Sequence, residues 1–222
     1  MTIYERALEF VQDGDVVGLG SGRASMAFIQ LLGERIKAGL KIRGVPTSRI
    51  SEELARNLHI PLVSLEEGMP LALTVDGADE VAPNLDLIKG WGRALVREKI
   101  VAAASHKLVI LAGKTKAVAA LGSRGKLPVE VVPFALPLCK ARLSEMGLRP
   151  VPYEEQGRLF VTDNGNNILD CMLDPIADPP ALQMHLHAVP GVVGTGLFLG
   201  MASVVLLGDE GKEFELVDEK RR

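Results

Sequence analysis

The sequence predicts an α/β protein: a parallel sheet covered by helices, carried in one chain with a smaller α+β unit. Three observations predict it. Up to residue 126, helical and strand signals alternate on the spacing of βαβ units. The strand runs there are short and wholly apolar, as expected of strands buried on both faces of a parallel sheet. From residue 127 the texture changes to the order strand, helix, strand, strand, helix, strand.

Element by element, an opening helix over 4–12 turns at 13-DGD into the strand 15-DVVGLG, and a second helix follows over 24–37. The strand 41-KIRGVPT leads to a helix at 51-SEELARNLH, whose Ser51, Glu52 and Glu53 read as a helix start. Strands are expected at 61-PLVSL, 71-LALTVDG and 107-KLVILAG, with a helix over 93–104 between the last two. The second unit comprises the strand 127-LPVEVV, the helix 137-PLCKARLSEMG, a strand, a hairpin, a further strand, the helix 178-DPPALQMHLHAV and the strand 192-VVGTGLFL. Its hairpin signal is Asn164-Gly165 between two alternating runs in 160-FVTDNGNNILDC. A βαββαβ order is the ferredoxin-like split unit. The expected domains are therefore 1–126 plus 201–222, with 201-MASVVLLG returning to the first sheet, and 127–200.

Composition narrows the partners. The 222 residues carry a net charge of −3, with 25 Lys and Arg against 28 Asp and Glu. That balance lacks the basic stripe of a nucleic-acid binder. Apolar runs such as 108-LVILA and 202-ASVVLL are too short to span a bilayer, and the opening stretch is charged throughout, so a cytoplasmic protein is expected. Cys139 and Cys171 lie far apart and form no C-x-x-C, which suggests two buried small side chains.

Two stretches carry chemistry. In 16-VVGLGSGRASMAF a strand, a glycine turn and a helix make a ready anion site from backbone N–H groups and the helix dipole. It fails the dinucleotide fingerprint, because Arg23 stands where the third glycine belongs and no acidic residue ends 41-KIRGVPT. A compact phosphate is the better ligand, with Ser21 offering a hydroxyl and Arg23 a bidentate cation, although a simple tight turn would use the same glycines. The strand 71-LALTVDGAD places Asp76 and Asp79 at its carboxyl end, where ligands of open α/β sheets gather. With Glu80 they could also form a magnesium site or a solvated turn. In 88-IKGWGRALVREK, Lys89 precedes two glycines that admit close approach and can stabilise a developing oxyanion. The helix that follows is read with Val96, Ile100 and Ala103 as its apolar stripe and Glu98 beside the glycine turn. Glu98 is either a base for proton transfer at carbon or one half of a surface ion pair with Arg97. His185 and His187 face different sides of a helix and make a poor metal pair.

Through 16-VVGLGSGRA, 44-GVPTS, 75-VDGADEVAPNLDLIKG, 94-ALVREKIVA, 127-LPVEVVPFA, 162-TDNGNNILDC and 190-PGVVGTGLFLGMA the sequence resembles the A-type ribose-5-phosphate isomerases. The resemblance implies a Rossmann-like domain with a ferredoxin-like smaller one, and interconversion of D-ribose 5-phosphate and D-ribulose 5-phosphate in the non-oxidative pentose phosphate pathway. It implies no metal and no organic cofactor, and a homodimer or tetramer. Carried over by position, Glu98 is the general base, Lys89 stabilises the enediolate oxygen, and Asp76 and Asp79 bind sugar hydroxyls and assist ring opening. Ser21, Gly22, Arg23 and Ala24 match the phosphate loop. Gly77, Ala78, Gly90, Trp91 and Gly92 line the pocket, and Lys116 is a further substrate contact. The chain departs from the family's pattern at Arg23, Trp91 and Arg93, where smaller residues are usual. Arg23, together with Arg93, is expected to replace lost phosphate contacts as a bidentate clamp. The alternatives are an isomerase for another phosphosugar and a non-catalytic sugar-phosphate-binding module.

Overall fold

The computed structural model describes residues 1–208 and the backbone of 215–218. In chain order it contains α1 (Ile3–Leu8), β1 (Val16–Leu19), α2 (Arg23–Lys37), β2 (Arg43–Pro46), α3 (Arg49–Asn57), α4 (Leu65–Gly68), β3 (Leu73–Gly77), β4 (Glu80–Val81), β5 (Leu87–Ile88) and α5 (Leu95–Ala103). It continues with β6 (Leu108–Ala112), β7 (Lys126–Val131), α6 (Leu136–Glu145), β8 (Arg149–Pro152), β9 (Glu154–Glu155), β10 (Arg158–Leu159) and β11 (Asn167–Met172). The last elements are α7 (Pro179–His187), β12 (Val192–Thr195), β13 (Leu197–Phe198), β14 (Val204–Leu207) and β15 (Glu215–Asp218). They divide into two compact units, 1–78 with 97–117 and 201–222, and 79–96 with 118–200.

The first unit is a six-stranded sheet in the order β15-β14-β6-β3-β1-β2, parallel except for β15. Its strands are largely apolar because both faces of the sheet are covered. Val17, Leu19, Leu73, Val75, Val109 and Leu111 point to one side, where α1 and α2 supply Ile3, Ala7, Phe28, Ile29 and Leu32. Val16 and Leu71 lie on the other side with Val101 of α5. The chain leaves β1 toward β2 on one flank while β3 pairs on the other, so the order reverses at β1. In open parallel sheets that reversal opens a crevice at the strands' carboxyl ends.

The second unit is built on a four-stranded antiparallel sheet, β12-β7-β11-β8. Numbered within the unit that order is 4-1-3-2, which follows from the βαββαβ arrangement. Helices α6 and α7 pack Cys139, Leu143 and Leu186 on Leu127, Val129, Leu169 and Cys171. Burial pushes both thiols' pKa values up, so neither cysteine is poised as a nucleophile. A smaller three-stranded sheet, β13-β5-β4, completes the unit.

Several expectations change. Residues 79–96 and 118–126 belong with the second unit, where β5 pairs with β4 on one side and with β13 on the other. The stretch 61-PLVSL is not a strand. It makes one bridge, Gly44 to Leu62, before Ser64 caps α4. Helix α3 starts earlier than Ser51, since Ser48 is the cap and Ser51 completes a reciprocal capping box with it. The run 192-VVGTGLFL splits between two sheets as β12 and β13.

Asn164-Gly165 turns the chain, with Gly165 at φ +82°, but the paired hairpin lies earlier, where β9 and β10 flank Gln156 and Gly157. The 162–166 turn is instead gathered onto Glu130, which is fully buried in β7. Its Oε1 accepts from Thr162 Oγ1 at 3.0 Å, Asn164 Nδ2 at 3.1 Å and Asn166 Nδ2 at 2.9 Å.

Candidate active site

Strand β1 ends at the glycine turn. Gly20 donates to the Val75 carbonyl at 3.0 Å, and a Cβ at position 20 would stand 2.2 Å from Asp76 Oδ1. Only glycine fits that close approach. Asp76, 1% exposed at the end of β3, takes on Oδ1 the N–H groups of Ser21 (3.0 Å) and Gly77 (2.7 Å). The buried Ser25 hydroxyl lies 2.9 Å from the same oxygen. Asp76 is thereby the bracket that holds the turn. The Ser21 hydroxyl sits 2.8 Å from Thr47 Oγ1 and 2.7 Å from Ser48 Oγ, tying the turn to the start of α3. Nothing in the spacing of Ser25, four residues after Ser21, or of Thr47, within 44-GVPTS, signals these contacts.

Gly22, at φ +88°, is the N-cap of α2 and leaves that helix without a side-chain cap. Arg23 opens α2 as an exposed residue, with the half-buried Ala24 next to it. Backbone N–H groups at such a terminus attract anions.

Helix α5 buries a face other than the one expected. Ile100 is 48% exposed, whereas Leu95, Glu98, Val101 and Ala102 are buried. Val101 packs against Gly18, and Ser105 hydrogen-bonds Thr74 Oγ1 at 2.7 Å. Because α5 runs from the carboxyl edge of the sheet toward its amino edge, its first turn brings Glu98 to the edge where β1 and β3 end. Glu98 is 3% exposed, so a surface ion pair is not its setting. A carboxylate in the first turn is favoured by the helix dipole. Lys116 follows β6 on the same edge, half-buried in a 3₁₀ turn over Lys114–Lys116.

In the second unit, Lys89 directly follows β5 and is 3% exposed. Its N–H donates to the Gly196 carbonyl at 2.9 Å, and its Nζ lies 5.3 Å from the centre of the Phe198 ring. Gly196 has no room for a side chain, since a Cβ would approach the Lys89 carbonyl to 2.4 Å. Asp79 donates its N–H to the Ile88 carbonyl at 2.8 Å, and its Oδ2 accepts the N–H of Trp91 at 2.9 Å. Gly90 at φ +102° and Arg93 at φ +71° close the turn around Trp91 and Gly92, with Arg93 N–H on the Gly90 carbonyl. Glu80, offered as part of a metal site, instead accepts the N–H groups of Gly122 at 2.6 Å and Arg124 at 2.7 Å. Arg93 is not available as a phosphate clamp. Its guanidinium forks onto Asp170, at 2.6 and 3.0 Å.

The first unit thus groups the Ser21–Ala24 turn, Asp76, Gly77 and Ala78, Glu98 and Lys116, and the second groups Asp79 with Lys89, Gly90, Trp91 and Gly92. His185 and His187 are exposed in α7. Among the described residues no group of three or more His, Cys, Asp or Glu is arranged to hold a metal ion, and no helix is long and apolar enough to cross a membrane.

A Rossmann-like unit with an anion-binding turn and a buried carboxylate at its carboxyl edge, joined to a ferredoxin-like unit with a buried lysine, defines a two-unit α/β enzyme. Residues 43–212 match the family model of ribose 5-phosphate isomerase A, also called phosphoriboisomerase A, and the chain belongs to that family. It is 48% identical to ribose-5-phosphate isomerase A of Roseiflexus castenholzii, over 98% of this chain and 95% of that one. The solved ribose 5-phosphate isomerase A of Methanocaldococcus jannaschii superposes with a TM-score of 0.92 at 38% identity, covering 98% and 96% of the two chains. A D-ribose-5-phosphate isomerase solved in complex with phospho-erythronic acid gives 0.92 at 36%, covering 97% and 95%.

Proposed function

We propose that this chain interconverts D-ribose 5-phosphate and D-ribulose 5-phosphate, the activity of its family, with Glu98 as the base. The observation that carries the assignment is the burial of Glu98 at 3% exposure on the sheet-facing side of α5. Packing alone would place an apolar residue there, and a desolvated carboxylate is retained where chemistry needs it. Glu98 takes the proton from C2 of the open-chain aldose and returns it to C1 through an enediolate. Lys89 meets the charge that develops on the enediolate oxygen, and Asp76 and Asp79 hold sugar hydroxyls and assist ring opening. The N–H groups of the Ser21–Ala24 turn, the Arg23 guanidinium and Lys116 receive the phosphate. Gly77, Ala78, Gly90, Trp91 and Gly92 shape the space for the sugar.

The test is turnover of ribose 5-phosphate in metal-free buffer with chelator. Glu98→Gln is expected to lower kcat by roughly 10²–10⁴ while the protein stays folded by circular dichroism. A Glu98→Gln variant with wild-type turnover would overturn the assignment. A second reading, an isomerase for another phosphosugar, is supported by Arg23 and Trp91 standing where the family usually has small residues. It predicts a wild type inert toward ribose 5-phosphate that turns over another phosphosugar, whereas heat stabilisation by phospho-erythronic acid with no turnover would favour a non-catalytic sugar-phosphate-binding module. We also infer a cytoplasmic homo-oligomer, a dimer or tetramer, by analogy with the family; light scattering on the purified chain decides the number of copies.

A further inference from the structure

The turn that follows Lys89 is held by a network the proposed chemistry does not use. Arg93 has a left-handed backbone, which a residue with a side chain keeps only where the surroundings hold it. Its guanidinium binds Asp170 of β11 through two nitrogens and lies 3.4 Å from the centre of the Tyr153 ring. Asp170 is also 3.6 Å from Lys126 Nζ, at the start of β7. The strand register explains the meeting: Met172 is opposite Lys126, and Asp170, two residues away on β11, shares its face. Lys126 in turn lies 4.5 Å from the Trp91 ring centre, and its carbonyl accepts the indole N–H at 3.3 Å. Arg124 approaches the same ring at 5.2 Å. The side chains at both ends of 91–93 are therefore fastened to the antiparallel sheet, while the Trp91 backbone N–H rests on Asp79.

We propose that Arg93 and Asp170 are positioning residues: their ion pair locks the Gly90–Arg93 turn so that Trp91 N–H orients the Asp79 carboxylate for the sugar end of the substrate. The pair lies at 11% and 13% side-chain exposure, partly shielded from water, and its forked geometry fixes direction as well as distance. Lysine at 93 would keep the charge and lose the fork. The role assigned to Asp79 rests on the function proposed above, but the anchoring of the turn can be read without turnover.

The chain has one tryptophan, Trp91, so its emission reports this turn alone. In the full-length protein, Asp170→Asn and Arg93→Asn are each compared with wild type; asparagine tolerates a left-handed backbone, so Arg93→Asn removes the guanidinium without added strain. Both variants are expected to raise acrylamide quenching of Trp91 about twofold and to weaken phospho-erythronic acid binding about tenfold or more. Inorganic phosphate, which reads the phosphate loop alone, should bind as in wild type. The double variant should be no worse than either single one, because the residues act as one unit. Arg93→Lys should fall between. In turnover, kcat should drop roughly 10- to 100-fold, the penalty for a misplaced group, with little change in the thermal midpoint. Unchanged quenching in both variants overturns the proposal, and so does equal weakening of both ligands in step with lost folded protein. A wild type without turnover whose variants show the quenching and binding changes would overturn the isomerase reading and leave the anchored turn standing.

Discussion

Asp76 and Asp79 stand three residues apart and are held in opposite ways. Asp76 is fixed by its neighbours in the Rossmann-like unit: backbone N–H groups of Ser21 and Gly77 and the Ser25 hydroxyl converge on one oxygen. Asp79, in the second unit, accepts the Trp91 N–H from a turn held by distant side chains, through an ion pair across 77 residues and an indole bond across 35. The first arrangement is written into a short motif and a strand register. The second is written into a tertiary cluster. A carboxylate held by backbone should tolerate surface change and fail only when the backbone is disturbed, whereas one held by side chains should be tunable from far away.

The sharpest way to break the first arrangement is Gly20→Ala. A methyl group 2.2 Å from Asp76 Oδ1 and 2.6 Å from the Val75 carbonyl must push β1 from β3, at a cost of about 1–3 kcal/mol. Turnover should be lost almost wholly, and the thermal midpoint should fall by several degrees; a variant as stable and active as wild type would show that Asp76 is not held as described. A smaller effect is expected at Arg23, which is exposed and whose removal leaves the bracket intact. Arg23→Ala should raise KM for ribose 5-phosphate about tenfold with kcat and stability unchanged, as loss of one charge-assisted contact predicts. An unchanged KM would remove Arg23 from the phosphate site.

A pH dependence tests how dry α5 is next to Glu98. Burial pulls the ammonium of Lys99 from its ordinary 10.5 down to about 8. Between those values the unfolded chain binds more protons than the folded one, so this group's contribution to stability rises with pH from about 8 to about 10.5, and its cost is present in full below 8. Lys99→Met should lack that rise, so its thermal midpoint relative to wild type should fall as pH increases across the window. Parallel curves would mean that Lys99 is well hydrated.

What could be read from the sequence follows the same division. The glycine turn, the strand ending in Asp76 and the βαββαβ order are local patterns, and the architecture of both sheets follows from them. That residues 79–96 belong with the second unit is not legible in the sequence, because β4 and β5 are two residues each, too short for any periodicity to show. The buried face of α5 is hidden from amphipathic analysis because apolar residues lie all round that helix and the face turned to the sheet includes a carboxylate. Amphipathic reading fails where a polar group is buried for a purpose. Arg93 was legible as a departure from the family, but nothing near it in sequence points to Asp170. The Asn164-Gly165 signal gave the right backbone and the wrong partner, since Glu130 takes the place of a paired strand.

That turn also bears on how the protein ages. Asparagine followed by glycine is the pair most open to deamidation, because the unhindered glycine nitrogen can attack the side-chain carbonyl and close a succinimide. Here the nucleophile and the leaving nitrogen are both held: Gly165 N–H is donated to the Thr162 carbonyl at 2.9 Å, and Asn164 Nδ2 to Glu130 Oε1 at 3.1 Å. Ring closure must wait for the turn to open. An aspartate formed at 164 would then return to face the buried Glu130 carboxylate, so each molecule that deamidates while open is hindered from closing again, and damage accumulates in proportion to time spent unfolded there.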